Sequence, residues 1–254
     1  MSVDSLVIVT GASRGLGQAL AAQYLGAGAF VLGLARQASA RLEPCGAGGL
    51  EQWQVDLADP VPVARRLGTW LADFERRAAG RLPARVRVIH NAALLNDPAD
   101  VADSEPGELA RSLRVGLEAP VALTAAFLRA TAHWDAADRR VLFVSSGLGR
   151  RALGGSGAYC AQKAGLDHFA RALALEEAAR PRGARVAAVA PGIIDTDMQR
   201  QLRGADPRRF AAQPQFDEWH RTGALDSPAT AAAKLIALLE RDDYGTIPVT
   251  DVRG

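Results

Sequence analysis

The sequence predicts an α/β fold: a doubly wound sheet of about seven parallel strands, flanked by helices, in a single domain spanning 1–254. Three observations carry this expectation. Short β-branched or apolar runs alternate from end to end with longer segments of helical period. The first apolar run passes directly into a glycine-rich turn and then a helix. No repeat, low-complexity tract or Pro/Gly/Ser-rich linker divides the chain.

Leu6–Thr10 is continuously apolar up to its threonine and reads as the first strand, followed by T-G-A-S-R-G-L-G at 10–17 and a helix over Gln18–Leu25. Phe30–Leu34 and the short Trp53–Val55 read as strands two and three, and Val63–Ala78 as a helix. Val86–His90 is the fourth strand, and Leu109–His133 has the period of one long helix. Val141–Ser145 and Val186–Ala190 are strands on either side of a helix over Ala158–Ala179. Pro228–Glu240 is a helix, with proline tolerated in its first turn, and Thr246–Val249 is a weak last strand. Only 193–224 mixes Gly, Pro, Arg and aromatics without clear period. A segment of that kind in a compact domain is expected to be an irregular lid over a binding site.

Composition narrows the function classes. Lys and Arg number 30 against 28 Asp and Glu, so no strong field points to nucleic acid or a membrane surface. Two cysteines, Cys45 and Cys160, are too few for a disulfide framework and lack metal-ligand spacing. The N-terminal segment has no basic region, and its apolar run is too short to span a bilayer, so a cytoplasmic protein is expected. The four histidines, His90, His133, His168 and His220, are scattered without paired spacing, and no metal is expected. G-G-S-G-A around Ser156 misses the hydrolase pattern G-x-S-x-G.

In the glycine turn, Gly11, Gly15 and Gly17 permit a tight turn and close approach of a ligand, while the helix that follows offers free N–H groups to a diphosphate. No G-K-S/T follows, which argues against a nucleoside triphosphate. Strand two ends L-G-L-A-R-Q, with Arg36 as a cation and no acid beside it. Together with Arg14 in the turn, it suits the 2′-phosphate of NADP rather than the free ribose of NAD. Tyr159 and Lys163 stand four apart on a predicted helix, where their side chains share a face and the ammonium favours the phenolate.

These motifs together resemble the short-chain dehydrogenases/reductases. The glycine motif, Asp56 in V-D-L, Asn91-Ala92-Ala93 where the family has N-A-G, Ser146 thirteen residues before Tyr159, Lys163 four after it, and P-G-I-I-D-T at 191–196 occur in the family's order. S-S-G, S-G-A-Y-C-A-Q-K-A-G-L-D and P-G-I-I-D-T-D-M-Q look most like the sepiapterin reductase and benzil reductase branch. The resemblance implies a Rossmann-type domain that reduces diketones or related ketones with NADPH. The cofactor is expected on Gly11, Ser13, Arg14, Gly15, Leu16, Gly17, Arg36, Asp56, Asn91, Ala92, Tyr159, Lys163, Pro191, Gly192, Ile194 and Thr196. It further implies a homodimer or homotetramer acting on a small carbonyl compound.

Carbonyl reduction needs a hydride and a proton, and Tyr159 is the expected proton donor. Lys163 is its charged partner, which in relatives also binds the nicotinamide ribose. Ser146 is expected to hold the substrate oxygen, because alternation turns Ser145 to the other face of the strand. Cys160, pointing away from that helix face, is read as packing. Relatives carry an Asn in the long helix, in a V-N-L-x-A-P context, that supports a water-linked proton path to the Lys; here V-G-L-E-A-P places Gly116 there. Pro120 has no N–H to return, so the Gly116 carbonyl is expected to be free and to bind the relay water. Met198, Leu202, Phe210, Phe216 and Trp219, with Leu148 and Leu153 opposite, are expected to make an apolar mouth without a fixed charge. An alternative reading stays open, in which an NADP(H)-binding regulatory or scaffolding protein has lost catalytic strength.

Overall fold

Successive side chains of a strand point to opposite faces of a sheet, and in β1 (Ser5–Thr10) both faces are apolar. Leu6 and Ile8 join one core, and Val7 and Val9 join another. A strand buried on both sides requires helices above and below it. The structure is a computed structural model describing residues 4–44, 46, 48–78 and 81–253; Cys45 lies outside them.

Among the described residues, β1 is joined by β2 (Phe30–Ala35), β3 (Gly49–Gln54), β4 (Arg85–His90), β5 (Asp138–Val144), β6 (Arg185–Ala190) and β7 (Val249–Asp251). All pair in parallel in the order β3-β2-β1-β4-β5-β6-β7. The helices are α1 (Gly15–Gly26), α2 (Pro60–Ala78), α3 (Pro106–Leu113), α4 (Ala119–Ala130), α5 (Gly157–Ala178), α6 (Asp197–Arg203), α7 (Gln213–Arg221) and α8 (Pro228–Leu239). Leu20 of α1 and Leu235 of α8 bury against Val7 and Val9. Leu67 and Trp70 of α2, Phe127 of α4 and Leu166 of α5 bury against the opposite face. Each fully buried Leu, Val or Phe contributes roughly 1.5–3 kcal/mol relative to exposure.

Thr10 at the end of β1 lies opposite Leu34 of β2 on one side and His90 of β4 on the other. Strand order reverses at this point, and the connections leave β1 and β4 in opposite directions. A crevice therefore opens at the C-terminal ends of the strands.

Four local expectations are corrected. The third strand runs over Gly49–Gln54, not Trp53–Val55, because pairing with β2 selects a segment with few β-branched residues. The last strand is Val249–Asp251, displaced because Thr246 is held in a turn by the Asp243 carbonyl. The long helix expected over 109–133 is two helices, α3 and α4, joined by a π-helical turn at Arg114–Glu118. In that turn the Ala119 N–H reaches back five residues to the Arg114 carbonyl, and the widening relieves the clash of Pro120 with the carbonyl four residues earlier. Pro120 itself has no N–H to offer either the Val115 carbonyl five back or the Gly116 carbonyl four back. Finally, 193–224 is not irregular throughout: it carries α6 and α7, whose Leu202 and Phe216 form a small core with Phe210.

Candidate active site

A cleft of about 1230 Å³ lies at the C-terminal ends of the strands. The glycine turn forms one wall, with Gly11 and Gly15 in the left-handed region at φ +69° and +55°. Gly17 has a different role from its neighbours. A Cβ there would stand 2.2 Å from the Gly11 carbonyl oxygen and 2.4 Å from Asn91 Nδ2, so α1 can begin this close to the turn only without a side chain. It is not among the residues that line the cleft, and its place in the structure is a packing one. Arg14 occupies the N-cap of α1 without a side-chain cap, and no acidic residue stands in the first turn. The free N–H groups and the positive end of the helix therefore suit an anion in the cleft.

Asn91 ties the two central strands together at this end. Its Nδ2 donates to the Thr10 carbonyl at 3.1 Å, and its backbone N–H and that of Ala92 both donate to Thr10 Oγ1 at 3.0 Å. Ser13, Leu16, Arg36, Asp56 and Ala92 line the same end of the cleft. Asp56 accepts from the Ala58 N–H at 2.9 Å and from Arg111 at 2.7 Å. The backbone hydrogen bond, with Arg111 and Arg36 adding their charge, holds its carboxyl below the usual range. On the other wall, Pro191, Gly192, Ile194 and Thr196 follow β6, with Gly192 at φ +85°. The position of a Gly15 Cβ is 3.7 Å from Thr196 Cγ2, so this segment crosses over the glycine turn.

Ser146, Tyr159 and Lys163 meet at the floor of the cleft. Ser146 follows β5, and its Oγ accepts from the Leu148 N–H at 3.2 Å. Tyr159 and Lys163 lie one turn apart on α5, with Lys163 Nζ 5.5 Å from the centre of the Tyr159 ring and donating to the Val144 carbonyl at 2.7 Å. Burial pushes the Tyr159 phenol up to about 12, and its hydrogen bond with Ser146 reverses only part of this. Burial draws Lys163 down to about 8 against the pull of Asp167. The expectation that Lys163 tips Tyr159 toward the phenolate is thus corrected: desolvation dominates, and the phenol stays protonated. Ser145 gives its hydroxyl to Asp167. Cys160 is half-buried, with Sγ 4.0 Å from the Leu153 carbonyl, and does not line the cleft.

With this arrangement in place, a family model for short chain dehydrogenase matches residues 5–207. The chain belongs to the short-chain dehydrogenase/reductase family. It is an oxidoreductase acting on CH–OH or carbonyl groups with a nicotinamide cofactor. Benzil reductase ((S)-benzoin forming) of Bacillus cereus is 31% identical over 244 residues, covering 94% of this chain and 95% of the relative. Sepiapterin reductase of Meriones unguiculatus is 32% identical over 255 residues, covering 94% and 93%. A Beutenbergia cavernae structure assigned as an NAD(P)-dependent gluconate 5-dehydrogenase, solved with NADP at low occupancy, superposes with a TM-score of 0.77. It shares 27% identity over 98% of this chain and 95% of that one.

The mouth of this short-chain dehydrogenase/reductase differs from the expectation in two respects. Leu148, Leu153, Met198, Leu202, Phe216 and Trp219 line it, but Phe210 does not. Phe210 is turned into the small core, its ring 5.6 Å from Phe216 and against Gly155, where a Cβ would stand 3.0 Å from it. The mouth also carries fixed charge, with Arg150, Arg151, Asp251 and Arg253 on its rim. Two residues absent from the sequence reading shape the cleft. Arg111 pairs with Asp56 across 55 positions, and Asp197 at the start of α6 pairs with Arg14 at 2.6 Å across 183. No spacing rule brings such partners together.

Proposed function

We propose that the chain is an NADPH-dependent reductase of ketones, vicinal diketones and related carbonyl compounds among them. The observation that carries this reading is the meeting of Ser146, Tyr159 and Lys163 at the floor of a cleft whose far end holds an uncapped helix N-terminus. The residues fit a dinucleotide: the Gly11–Leu16 backbone for the diphosphate, Asp56 and Ala92 near the adenine, and Pro191, Gly192, Ile194 and Thr196 beside the nicotinamide. Arg36 and Arg14 line the same end, and the residues flanking Arg36 are Ala35 and Gln37, which favours a 2′-phosphate over a ribose hydroxyl.

The nicotinamide, when bound, supplies the hydride. Tyr159 holds the proton, because a phenol pushed up to about 12 is protonated throughout the neutral range. As charge develops on the substrate oxygen, Tyr159 donates to it and Ser146 stabilises it with a hydrogen bond. Lys163 has one N–H committed to Val144, leaving two for the ribose and for proton return to Tyr159. The segment 193–224, with α6 and α7, serves as the lid that excludes water, and its Met198, Leu202 and Trp219 face aromatic or apolar substituents. A cytoplasmic location, on the character of the N-terminal segment, and at least a dimer, on family resemblance, complete the reading.

The experiment is to mix the purified protein with NADPH or NADH and a panel of diketones that includes benzil, and to follow loss of reduced-nicotinamide absorbance. Turnover with NADPH is expected, and Tyr159→Phe should lower it by about 10²–10⁴-fold while NADPH still binds. Binding without turnover on every carbonyl would overturn the proposal in favour of a regulatory dinucleotide-binding protein.

A further inference from the structure

The side chain that position 116 lacks is replaced in space by another. A Cβ on Gly116 would stand 1.5 Å from Oε1 and 2.3 Å from Cδ of Gln162, so the Gln162 carboxamide fills the volume into which any side chain at 116 would grow. Gln162 is fully buried on α5, three residues after Tyr159 and next to Lys163. Its Nε2 donates to the Leu94 carbonyl and to Ser112 Oγ, both at 2.9 Å, and Ser112 Oγ donates to the same carbonyl at 3.0 Å. The Leu94 carbonyl can only accept, which fixes the amide with Nε2 toward Leu94 and Oε1 toward Gly116. Oε1 has no hydrogen-bond partner among the described residues.

This triangle joins three parts of the site. Leu94 follows Asn91-Ala92-Ala93 in the wall of the cleft, Ser112 lies in the last turn of α3 just before the π-helical turn, and α5 carries Tyr159 and Lys163. The approach of α5 to the turn is close elsewhere as well, since a Cβ on Gly165 would stand 2.9 Å from Leu117. A side chain at 116 and Gln162 therefore exclude one another.

Resting on the reductase reading above, we propose that Gln162 is a positioning residue of the active site. It supplies from α5 the amide that position 116 does not carry, and by clamping α5 to the loop after β4 and to α3 it sets the place of Tyr159 and Lys163. Gly116 is then glycine because Gln162 needs its space.

A double-mutant cycle over Gly116→Asn and Gln162→Ala tests this, read by melting temperature, by kcat and KM, and by the pH dependence of both rate and NADPH affinity. Gln162→Ala should lower kcat by about tenfold or more with KM for NADPH little changed, since misplacement of about 1 Å can reach a hundredfold. It should also move the basic limb of the pH profile, because Lys163 is the next residue on α5 and shifts with it. Gly116→Asn should lower the melting temperature by several degrees when Gln162 is present, and by much less in the Gln162→Ala background, where the new amide also restores part of kcat. Gln162→Asn, which keeps the amide on a shorter stem, should lie between. Wild-type kcat and pH profile in Gln162→Ala would overturn the positioning role, and equal effects of Gly116→Asn in both backgrounds would overturn the exchange of space. Failure of the reductase reading shows separately, as a wild type that binds NADPH and turns over no carbonyl. The cycle in melting temperature and in the pH dependence of NADPH affinity still decides for or against Gln162 in that case.

Discussion

Asp197→Asn should tighten NADPH binding. Arg14 NH1 and Asp197 Oδ2 are 2.6 Å apart, both groups well exposed to solvent, and Arg14 is a proposed ligand of the 2′-phosphate. An exposed ion pair of this kind contributes roughly 0.2–1 kcal/mol. That contribution opposes cofactor binding, because Arg14 must leave Asp197 to meet the phosphate. Removing the carboxylate therefore lowers the dissociation constant by about 1.4- to 5-fold. Loss of a negative charge beside the phosphate acts in the same direction. NADH has no phosphate for Arg14 and should gain much less. The difference should shrink as salt rises, since exposed charges are screened within about 10 Å at 0.1 M. Asp197 also pairs with Arg200 one turn along α6, and that hydrogen bond, with Arg14 adding its charge, holds its carboxyl below the usual range. A thermal melt must accordingly show that α6 is intact. Fluorescence titration of each cofactor against wild type and variant reads the effect. Unchanged or weaker NADPH binding by a well-folded variant, or an equal gain for NADH, refutes the reasoning.

Other consequences are as direct. Arg36→Asp should raise KM for NADPH by about tenfold or more, the scale of one charge-assisted hydrogen bond, and affect NADH far less; equal changes would sink the assignment of Arg36. Gly17→Ala, with its Cβ 2.2 Å from the Gly11 oxygen, should destabilise the protein by about 3 kcal/mol, and an unchanged urea midpoint would contradict the packing role. The reductase rate should decline as pH rises through about 8, where Lys163 loses its proton, and a profile flat well above that value would show that its charge is dispensable. Arg87, fully buried in β4, is held by Glu240 at 2.7 Å and Asp138 at 3.0 Å. Burial pushes both carboxyls up, but Arg185, Arg87 and Arg140 at Asp138, and Arg87 with Tyr24 and Arg140 at Glu240, more than reverse this, so both lie below their ordinary values. Their stabilisation is therefore present above the unfolded carboxylate range near pH 4 and lost as pH falls through the lower folded values. Glu240→Gln should destabilise by on the order of 3 kcal/mol near neutrality, and by progressively less in acid. A pH-independent effect in urea denaturation would contradict that account.

What was legible in the sequence is what local chemistry determines. Leu6–Thr10, running into a turn with glycines at 11, 15 and 17, announces a strand, a turn and a helix start, and the structure places them so. Helical spacing alone puts Tyr159 and Lys163 on one face, the family resemblance adds Ser146 thirteen residues earlier, and all three line the cleft. The errors lie where a residue's role depends on a partner distant in the chain. β3 is a strand because β2 offers it hydrogen bonds, although Gly49–Gln54 has little β character of its own. The charged rim joins Arg150 and Arg151 to Asp251 and Arg253, a hundred residues apart, so inspection of the apolar lid residues alone made the mouth look neutral. The electrostatics of the Tyr159 and Lys163 pair differ from the expectation for a related reason: helical spacing gives proximity but not burial, and here burial is the larger effect on both groups.

Gly116 shows how far such reasoning can be carried once the structure is known. From the sequence it looks like a loss, a helix position without the side chain that relatives place there, followed by a proline that cannot close the turn. In the structure the same two residues have separate physical consequences. Pro120 converts one turn to π geometry, and Gly116 leaves a volume that a buried carboxamide from the adjoining helix fills. A vacancy would leave the packing of α5 against the turn loose, whereas the Leu94, Ser112 and Gln162 triangle fixes it with hydrogen bonds of 2.9–3.0 Å. The glycine is thus better understood as one half of a pair whose other half stands beside Lys163, and substitution at either position has to be judged with the other in view.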